Sequence, residues 1–260
     1  PFVIAADPNS PSFSVPDLVP PFDLPDDRIA IREKLRRQLS IFEGTKEVSV
    51  RSNRKANSFN AFRESAKTLM LSAEAKKAFD ISRESAKLRE QYGRSTLGQS
   101  CLMARRLVEA GVRCVTIQHT DWDTHDENFR LLKDELLPPL DSAISTLFAD
   151  LADRGLSDKT LVLVTGEFGR TPKIDGGAGG RGHFPAAFSL LLSGGGLNSG
   201  MCVGETNRTG MSCVGGCYTP EDLAETILTS LDINTHQELH SAEGRPFGMV
   251  NGGKRIKELF

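Results

Sequence analysis

Asp121, Asp123 and His125 lie close together in the sequence, and their side chains are of the types that bind divalent metal ions. Carboxylate oxygens suit hard cations, and imidazole nitrogens suit borderline cations such as zinc. Because the three residues follow a predicted strand, they lie in the loop beyond its carboxyl end, where open α/β sheets bind ligands. A competing interpretation is that Asp123 and Thr124 cap a helix beginning near Asp126, but capping does not require a histidine at position 125.

A further candidate ligand, Glu167, stands two residues beyond a continuous apolar segment over 160–165, which is typical of a buried strand. If that strand is parallel to the strand before Asp123, the carboxyl ends of both strands meet and the two carboxylates approach one another. Arg170 follows closely, and its planar guanidinium could bind an anionic oxyacid through two hydrogen bonds. The alternative for Arg170 is a salt bridge to Glu167 or Asp175.

His183 follows a glycine-rich run over 176–182 and forms a third candidate ligand region. Arg181, in the same run, is a second candidate for binding an oxyanion. The run also matches the spacing of a dinucleotide-binding loop, but Pro172 and Pro185 bracket it and no helix opens after its last glycine, so we reject that interpretation. The predicted metal ligands are Asp121, Asp123, His125, Glu167 and His183.

Two other patterns do not indicate a functional site. His236 and His240 have the spacing of a zinc protease motif, but their segment is loop-like and lacks a glutamate after the first histidine. The five cysteines are odd in number and lack paired CxxC spacing, so we expect free or buried thiols. In an oxidising compartment, one disulfide is the alternative among Cys202, Cys213 and Cys217.

The elements that must position the candidate ligands alternate between strand and helix after Gly111. The hydrophobic pattern predicts a strand over Arg113–His119, a long helix over 129–154 and a strand over 160–165, which together form one βαβ crossover with parallel strands. Pro138-Pro139 should kink or break that helix. A further buried strand is predicted over 188–192. The fold class is therefore α/β, a mixed or parallel sheet covered by helices.

Helical periodicity dominates the first part of the chain and returns near its end. Helices are predicted over 27–42, in two or three pieces between 59 and 91, over 97–110 before Gly111, and over 219–231 with Thr219 as N-cap and Pro220 at the first position. A polar loop is predicted over 46–57, and a loop with one short strand over 244–260. We divide the chain into an extended Pro-rich arm at 1–26, a mostly helical segment at 27–111 and the α/β core at 112–260.

The composition excludes some classes of function. The 260 residues are enough for a substantial core, with 38% hydrophobic content. The 32 basic and 34 acidic residues nearly cancel to a formal charge of -2, so we expect no nucleic-acid partner. No apolar run approaches the roughly 20 residues that span a bilayer, so we expect no membrane span.

Taken together, these motifs resemble those of an uncharacterised bacterial family, domain of unknown function 1501, in the alkaline phosphatase/sulfatase superfamily. The resemblance covers most of the chain, and the matching segments are Val15–Leu18, Arg94–Gly111, Trp122–His125, Gly166–Pro172, His183–Gly196 and Thr219–Leu223. It implies an alkaline-phosphatase-like fold with a helical N-terminal segment. It also implies a metal-dependent hydrolase that acts on phosphate or sulfate esters of small molecules or polysaccharides, with zinc, calcium, magnesium or manganese as cofactor.

The resemblance assigns roles residue by residue. Asp123 and His125 look like the Asp and His that one loop supplies, and His183 is similar to the final histidine. The chain departs from the pattern at two positions: Phe168 stands where the superfamily has a metal-binding histidine, and Gly182 stands where an aspartate is expected. The alternative function that these departures favour is a catalytically degenerate binding or scaffold protein.

The front of the superfamily site has no counterpart in this sequence. Its first metal-binding aspartate and its nucleophile come from an early strand and helix, and no such stretch precedes Asp121. We therefore expect the chain to be the C-terminal part of a longer product, with the nucleophile outside it or replaced by metal-bound water. Relatives tend to carry an export signal, so the resemblance implies a periplasmic or secreted protein.

Overall fold

The computed structural model describes residues 2–18, 72–177, 179–241 and 243–260, together with isolated positions between 28 and 70. The chain divides into two compact units: Pro1–Ala86 with Leu102–Val115, and Lys87–Cys101 with Thr116–Phe260. All the candidate ligands belong to the second unit. In the described part of the chain, no helix combines the length and apolar character that crossing a bilayer requires.

Some sequence-based expectations cannot be compared with the fold. The helix predicted over 27–42 lies outside the described residues apart from isolated positions, and the loop over 46–57 lies entirely outside them. The division of the chain at residues 26 and 111 stays a prediction.

Six α-helices have defined bounds among the described residues. They are α1 (Ala73–Phe79), α2 (Ala86–Gln91), α3 (Thr96–Glu109), α4 (Asn128–Leu131), α5 (Leu137–Asp153) and α6 (Pro220–Ser230). The helix predicted over 97–110 is confirmed as α3, and Gly111, at φ +93°, takes the left-handed conformation that commonly ends a helix.

The first unit contains a buried cluster of charges. Arg105 is 1% exposed, and its Nη2 and Nη1 lie 2.8 and 2.7 Å from the carboxylates of Glu84 and Glu109. Arg106 also pairs with Glu84. Burial alone would raise the pKa of Glu84, but the hydrogen bonds and charges of the two arginines outweigh it and lower that pKa. The carboxylates of the cluster neutralise the buried guanidinium of Arg105. Without them, this buried charge would be strongly destabilising.

The long helix predicted over 129–154 is confirmed, and it departs from α-helical geometry just before the two prolines. A π-helical turn, Leu132–Leu136, separates α4 from α5. Pro138 and Pro139 lie in the first turn of α5, directly after this turn, so the helix changes its hydrogen-bond register where proline lacks a backbone N–H. The sequence pattern and the local chemistry of proline therefore agree at this point.

A buried hydrogen bond ties α5 to the residue that follows α2. Tyr92 is fully buried, and its hydroxyl donates to Asp150 Oδ2 at 2.9 Å. Arg154 Nε donates to the other oxygen of Asp150 at 2.7 Å. Asp150 is 7% exposed, so these donors compensate a carboxylate that has lost most of its water.

The described strands form four two-stranded antiparallel sheets. The strands are β1 (Leu161–Val164), β2 (Gly169–Arg170), β3 (His183–Phe184), β4 (Leu191–Gly194), β5 (Glu205–Thr206), β6 (Cys213–Gly215), β7 (Glu238–His240) and β8 (Pro246–Gly248). The pairs are β1–β4, β2–β3, β5–β6 and β7–β8. The fold therefore mixes helices with small sheets, which fits the α/β class in its general sense.

The predicted βαβ crossover is wrong in this structure. The strand over 160–165 forms as β1, but it pairs antiparallel with β4, with Leu161 opposite Gly194. Residues 113–119 form no strand. Burial alternates along 114–120 as in a strand, but a strand also needs a neighbour that accepts and donates its backbone hydrogen bonds, and the described residues supply none here. The strand predicted over 188–192 is shifted to Leu191–Gly194.

The C-terminal part agrees closely with its sequence pattern. Thr219 Oγ1 accepts the N–H of Asp222, and the Asp222 carboxylate accepts the N–H of Thr219 at 2.8 Å, which is a capping box. A disulfide joins Cys213 and Cys217, so the alternative of one disulfide is the correct one for this pair. Cys101, Cys114 and Cys202 are free thiols, as expected. The short strand predicted after 244 forms as β8.

Candidate functional site

Three candidate ligands from distant parts of the sequence meet at one point. His125 Nε2 and His183 Nε2 lie 3.0 Å apart, and they lie 3.0 and 2.9 Å from Asp123 Oδ1. These atoms form a nearly equilateral triangle. Within the described residues, this is the one group of three or more such side chains with metal-like spacing.

Hydrogen bonds alone cannot make all three contacts of this triangle favourable. Hydrogen bonds from His183 and Arg170, the main causes, lower the pKa of Asp123 to about 2, so at neutral pH its carboxylate only accepts hydrogen bonds. If both imidazoles carry a proton on Nε2, those two N–H groups face each other; if only one does, a lone pair of the other faces Asp123 Oδ1. Every protonation state therefore leaves one of the three contacts unfavourable.

A single cation satisfies all three contacts at once. Ligands bonded at about 2.0–2.1 Å to a tetrahedral ion lie about 3.3 Å from one another, close to the observed separations. The residue types also fit, since two imidazoles and one carboxylate make a common ligand set for zinc and other borderline cations. The donor set and its spacing therefore suit a divalent metal ion.

A tight turn brings the first two ligands together. The backbone N–H of His125 donates to the carbonyl of Asp123 at 3.0 Å, which closes a three-residue turn. Thr124, between them, is buried, and its hydroxyl donates to Asn128 Oδ1 at 2.6 Å. The turn is thereby anchored to the start of α4. The capping alternative is wrong, because the N-cap of α4 is Glu127 and no side chain caps it.

The β2–β3 hairpin supplies the third ligand and the arginine. Arg170 of β2 is directly opposite His183 of β3, so both side chains leave the ribbon on the same face. The glycine-rich run forms the loop of this hairpin, closed where the N–H of Asp175 donates to the carbonyl of Gly180 at 2.9 Å. The loop is a hairpin turn and no helix follows it, which agrees with the rejection of a dinucleotide-binding loop.

Gly180 lies in direct contact with the metal-binding turn. A Cβ atom at this position would lie 1.7 Å from the carbonyl oxygen of His125, far inside van der Waals contact. Only glycine therefore allows the hairpin to pack against the 123–125 turn. This contact holds His183 and His125 within reach of each other.

Arg170 spans the two elements. Its Nη2 donates to Asp123 Oδ1 at 2.7 Å and to the carbonyl of Trp122 at 2.8 Å, and its Nη1 donates to the carbonyl of Arg181 at 3.2 Å. The alternative of a salt bridge to Glu167 or Asp175 is not what forms, because the partner is Asp123.

The site is open to solvent on one side. The side chains of Asp123, His125 and His183 are 69%, 50% and 46% exposed. Phe168 covers one face of the His183 ring, with ring centroids 4.1 Å apart and planes inclined by 32°. Three protein ligands with an accessible side match catalytic metal sites, which keep a coordination position free, better than closed structural sites.

The remaining predicted residues lie outside the triangle. Asp121 has a left-handed backbone at φ +73°, and its carboxylate accepts a hydrogen bond from Thr120 Oγ1 at 2.9 Å. Glu167 is exposed and does not join the group. The guanidinium of Arg181 lies over the ring of Phe129, 5.1 Å from its centroid, and its buried Nε has no hydrogen-bond partner among the described residues.

Two contacts of the site were not predicted from the sequence. The stacking of Phe168 on His183 was missed because Phe168 was considered only as a lost ligand. The pairing of Arg170 with Asp123 was missed because the two residues are 47 positions apart. The alternation of side chains along a hairpin could have indicated that Arg170 and His183 share a face, had the glycine-rich run been interpreted as a hairpin loop.

Comparisons with known proteins bear on the family alone. Among curated proteins and solved structures, none matches this chain. A family model described as a protein of unknown function (DUF1501) matches residues 5–260. The expected family is thereby confirmed: the chain belongs to the DUF1501 family of proteins of unknown function.

Proposed function

We propose that this protein is a metal-dependent hydrolase of phosphate or sulfate esters. The observation that carries the proposal is the triangle of Asp123 Oδ1, His125 Nε2 and His183 Nε2. No protonation state makes all three of its contacts favourable, whereas one bound cation would. Hydrolysis of esters is a common use of an accessible divalent ion held by three protein ligands.

The ligand types narrow the choice of ion. Magnesium and calcium prefer sites made of oxygen atoms, whereas two of the three ligand atoms here are imidazole nitrogens. Of zinc, calcium, magnesium and manganese, zinc therefore fits this ligand set best. When bound, such an ion polarises an ester oxygen and lowers the pKa of a coordinated water.

The residues around the triangle have distinct proposed roles. Arg170, fixed by the carbonyl groups of Trp122 and Arg181, is placed to bind an oxyanion of the substrate. Arg181 is the second candidate for that role, since its Nε lacks a partner among the described residues. Asp121 and Glu167 would become ligands only after a rearrangement of the site, because neither joins the triangle. A water molecule coordinated by the bound ion would be the nucleophile.

The proposal also includes the superfamily fold, the localisation and the substrate class of the protein. The resemblance to the superfamily implies an alkaline-phosphatase-like fold and an exported protein that acts on small-molecule or polysaccharide esters, and we include both in the proposal. The small antiparallel sheets give this placement no additional support, so it rests on the resemblance of the motifs.

The test is hydrolysis of aryl phosphate and aryl sulfate by the purified protein, after chelation and after addition of zinc or manganese. We expect turnover that depends on the metal and is abolished in Asp123→Asn. The matched control is His236→Ala, which removes an exposed histidine outside the triangle. Absence of turnover, together with stability that is unchanged by metal, would contradict the proposal.

A catalytically degenerate binding protein is the second candidate. It is favoured by Phe168, which covers a face of His183 where a further ligand would approach in the superfamily pattern. This candidate predicts that metal binds and that Asp123→Asn weakens binding, but that neither ester is hydrolysed.

A further inference from the structure

One oxygen atom, Asp123 Oδ1, is shared by three nitrogen atoms. His183 Nε2, His125 Nε2 and Arg170 Nη2 lie 2.9, 3.0 and 2.7 Å from it. A carboxylate oxygen has two lone pairs, so it cannot serve all three neighbours fully. The negative charge that a cation would use is the same charge that neutralises Arg170.

A cation in the triangle would weaken the pairing of Arg170 with Asp123. Its bond to Oδ1 would be about 2.0–2.2 Å long, which places it within about 5 Å of Arg170 Nη2. At that distance two positive charges repel one another, and the carboxylate charge is already drawn toward the cation.

Arg170 cannot easily leave the site in response. Its guanidinium is also held by the carbonyl oxygens of Trp122 and Arg181, at 2.8 and 3.2 Å, and its side chain is only 18% exposed. These carbonyls carry no net charge, so they fix the position of the guanidinium without neutralising it. The guanidinium would remain beside the cation in need of an anionic partner.

We propose that Arg170 exchanges its anionic partner when the metal binds, from Asp123 to a tetrahedral oxyanion such as phosphate or sulfate. The inference rests on the metal site of the proposed function. Its consequence is reciprocal coupling: the cation tightens binding of the oxyanion, and the oxyanion tightens binding of the cation by the same factor.

The test measures zinc affinity by competition with a chromophoric chelator, using sodium sulfate and sodium phosphate in separate arms. Sodium chloride keeps the ionic strength constant. We expect a saturating oxyanion to tighten zinc binding about tenfold in the unaltered protein, which is within the usual range of coupling between sites. The oxyanion that gives the larger effect indicates the ester class that the site prefers.

Substitutions separate this exchange from a supporting role. In Arg170→Gln, zinc alone should bind several-fold more tightly, because a repelling charge is gone, and the effect of the oxyanion should be lost. Arg170→Lys keeps the charge and should not gain zinc affinity. The control Arg245→Gln removes an exposed arginine between β7 and β8 and should behave like the unaltered protein.

The outcomes distinguish this inference from the proposal on which it depends. If zinc binds but neither oxyanion changes its affinity, or if Arg170→Gln weakens zinc binding, Arg170 only supports Asp123 and the exchange is refuted while the metal site stands. If the unaltered protein binds no zinc at all, the metal site itself fails, and the exchange fails with it.

Discussion

The rings around the metal ligands decide how precisely the imidazole nitrogens are aimed. His183 is stacked against Phe168 on one side, with ring centroids 4.1 Å apart, and it faces the ring of His125 at 4.7 Å. An aromatic neighbour at this distance limits rotation of the imidazole about its side-chain bonds. We therefore regard Phe168 as a residue that orients His183.

Removal of this ring should weaken metal binding without abolishing it. Phe168→Ala is expected to lower zinc affinity about tenfold, the lower end of what is typical when a partner that orients a ligand is lost. Competition titration with a chelator measures the change. Phe247→Ala, which removes an exposed ring on β8, is the control. Equal affinities in the two variants would contradict an orienting role for Phe168.

The two tyrosines of the chain provide a matched pair for stability. The Tyr92 hydroxyl donates to the buried carboxylate of Asp150, whereas the Tyr218 hydroxyl donates to Glu258 at the surface. We expect Tyr92→Phe to lower the free energy of unfolding by about 2 kcal/mol, because a buried charge loses a hydrogen bond. Tyr218→Phe should change it far less, because its hydrogen bond is exposed to water. Urea unfolding compares them, and similar losses would contradict this assignment.

The β2–β3 hairpin is the element on which the site depends most. It carries Arg170 and His183 on opposite strands, and Gly180 of its loop lies against the backbone of His125. A methyl group at Gly180 would overlap the carbonyl oxygen of His125, so the hairpin and the turn would have to separate.

A pair of glycine substitutions tests this contact. Gly180→Ala should lower zinc affinity by about tenfold or more and cost on the order of 2 kcal/mol of stability, as is usual when a side chain is forced into a packed contact. Gly176→Ala is the control, because a Cβ there meets nothing within 4 Å. Zinc titration and urea unfolding measure both. If Gly180→Ala binds zinc as tightly as Gly176→Ala, the hairpin does not position His183 in this way.

The sequence predicts the helices more reliably than it predicts the strands. The capping box at Thr219 and the irregular turn before Pro138-Pro139 depend on residues within a few positions, so local chemistry determines them. The segment over 113–119 has a strand-like pattern but forms no ladder, since a ladder needs a partner strand that local sequence does not specify. For the same reason, the parallel pairing predicted for the strand over 160–165 is wrong, and β1 pairs antiparallel with β4 instead.

The candidate site was predictable in part. Residue type and spacing indicated Asp123, His125 and His183 as ligands, and the structure brings these three together across 58 to 60 positions. The same reasoning included Asp121 and Glu167, which lie outside the triangle. The expectation for Glu167 depended on two parallel strands ending side by side, and that parallel pair does not form.

Acid should weaken the first compact unit through Glu84, which lies in its buried charge cluster. Its folded-state pKa is lowered, so its contribution to stability is complete above the unfolded pKa of about 4.5 and is lost as the pH falls below that value. At pH 7, Glu84→Gln should cost about 3 kcal/mol, near the lower limit for a broken buried ion pair, since Arg105 keeps Glu109.

Urea unfolding of the unaltered protein and of Glu84→Gln, at pH 7 and at pH 3, measures this cost. The cost of Glu84→Gln should shrink at pH 3, where protonation of Glu84 weakens its ion pairs in the unaltered protein too. Glu90→Gln breaks an exposed pair with Arg94 and should cost little at either pH. A cost for Glu84→Gln that does not depend on pH would contradict the ion-pair explanation.

The most direct test of the metal site is the number of zinc ions that the purified chain retains, measured by equilibrium dialysis and elemental analysis. We predict one ion per chain, and a loss of affinity of more than about a hundredfold in Asp123→Asn, His125→Ala and His183→Ala, beyond what is typical for residues that only support a ligand. His236→Ala should retain the ion. Retention of zinc by all three ligand variants, or no zinc in the unaltered protein, would contradict the site.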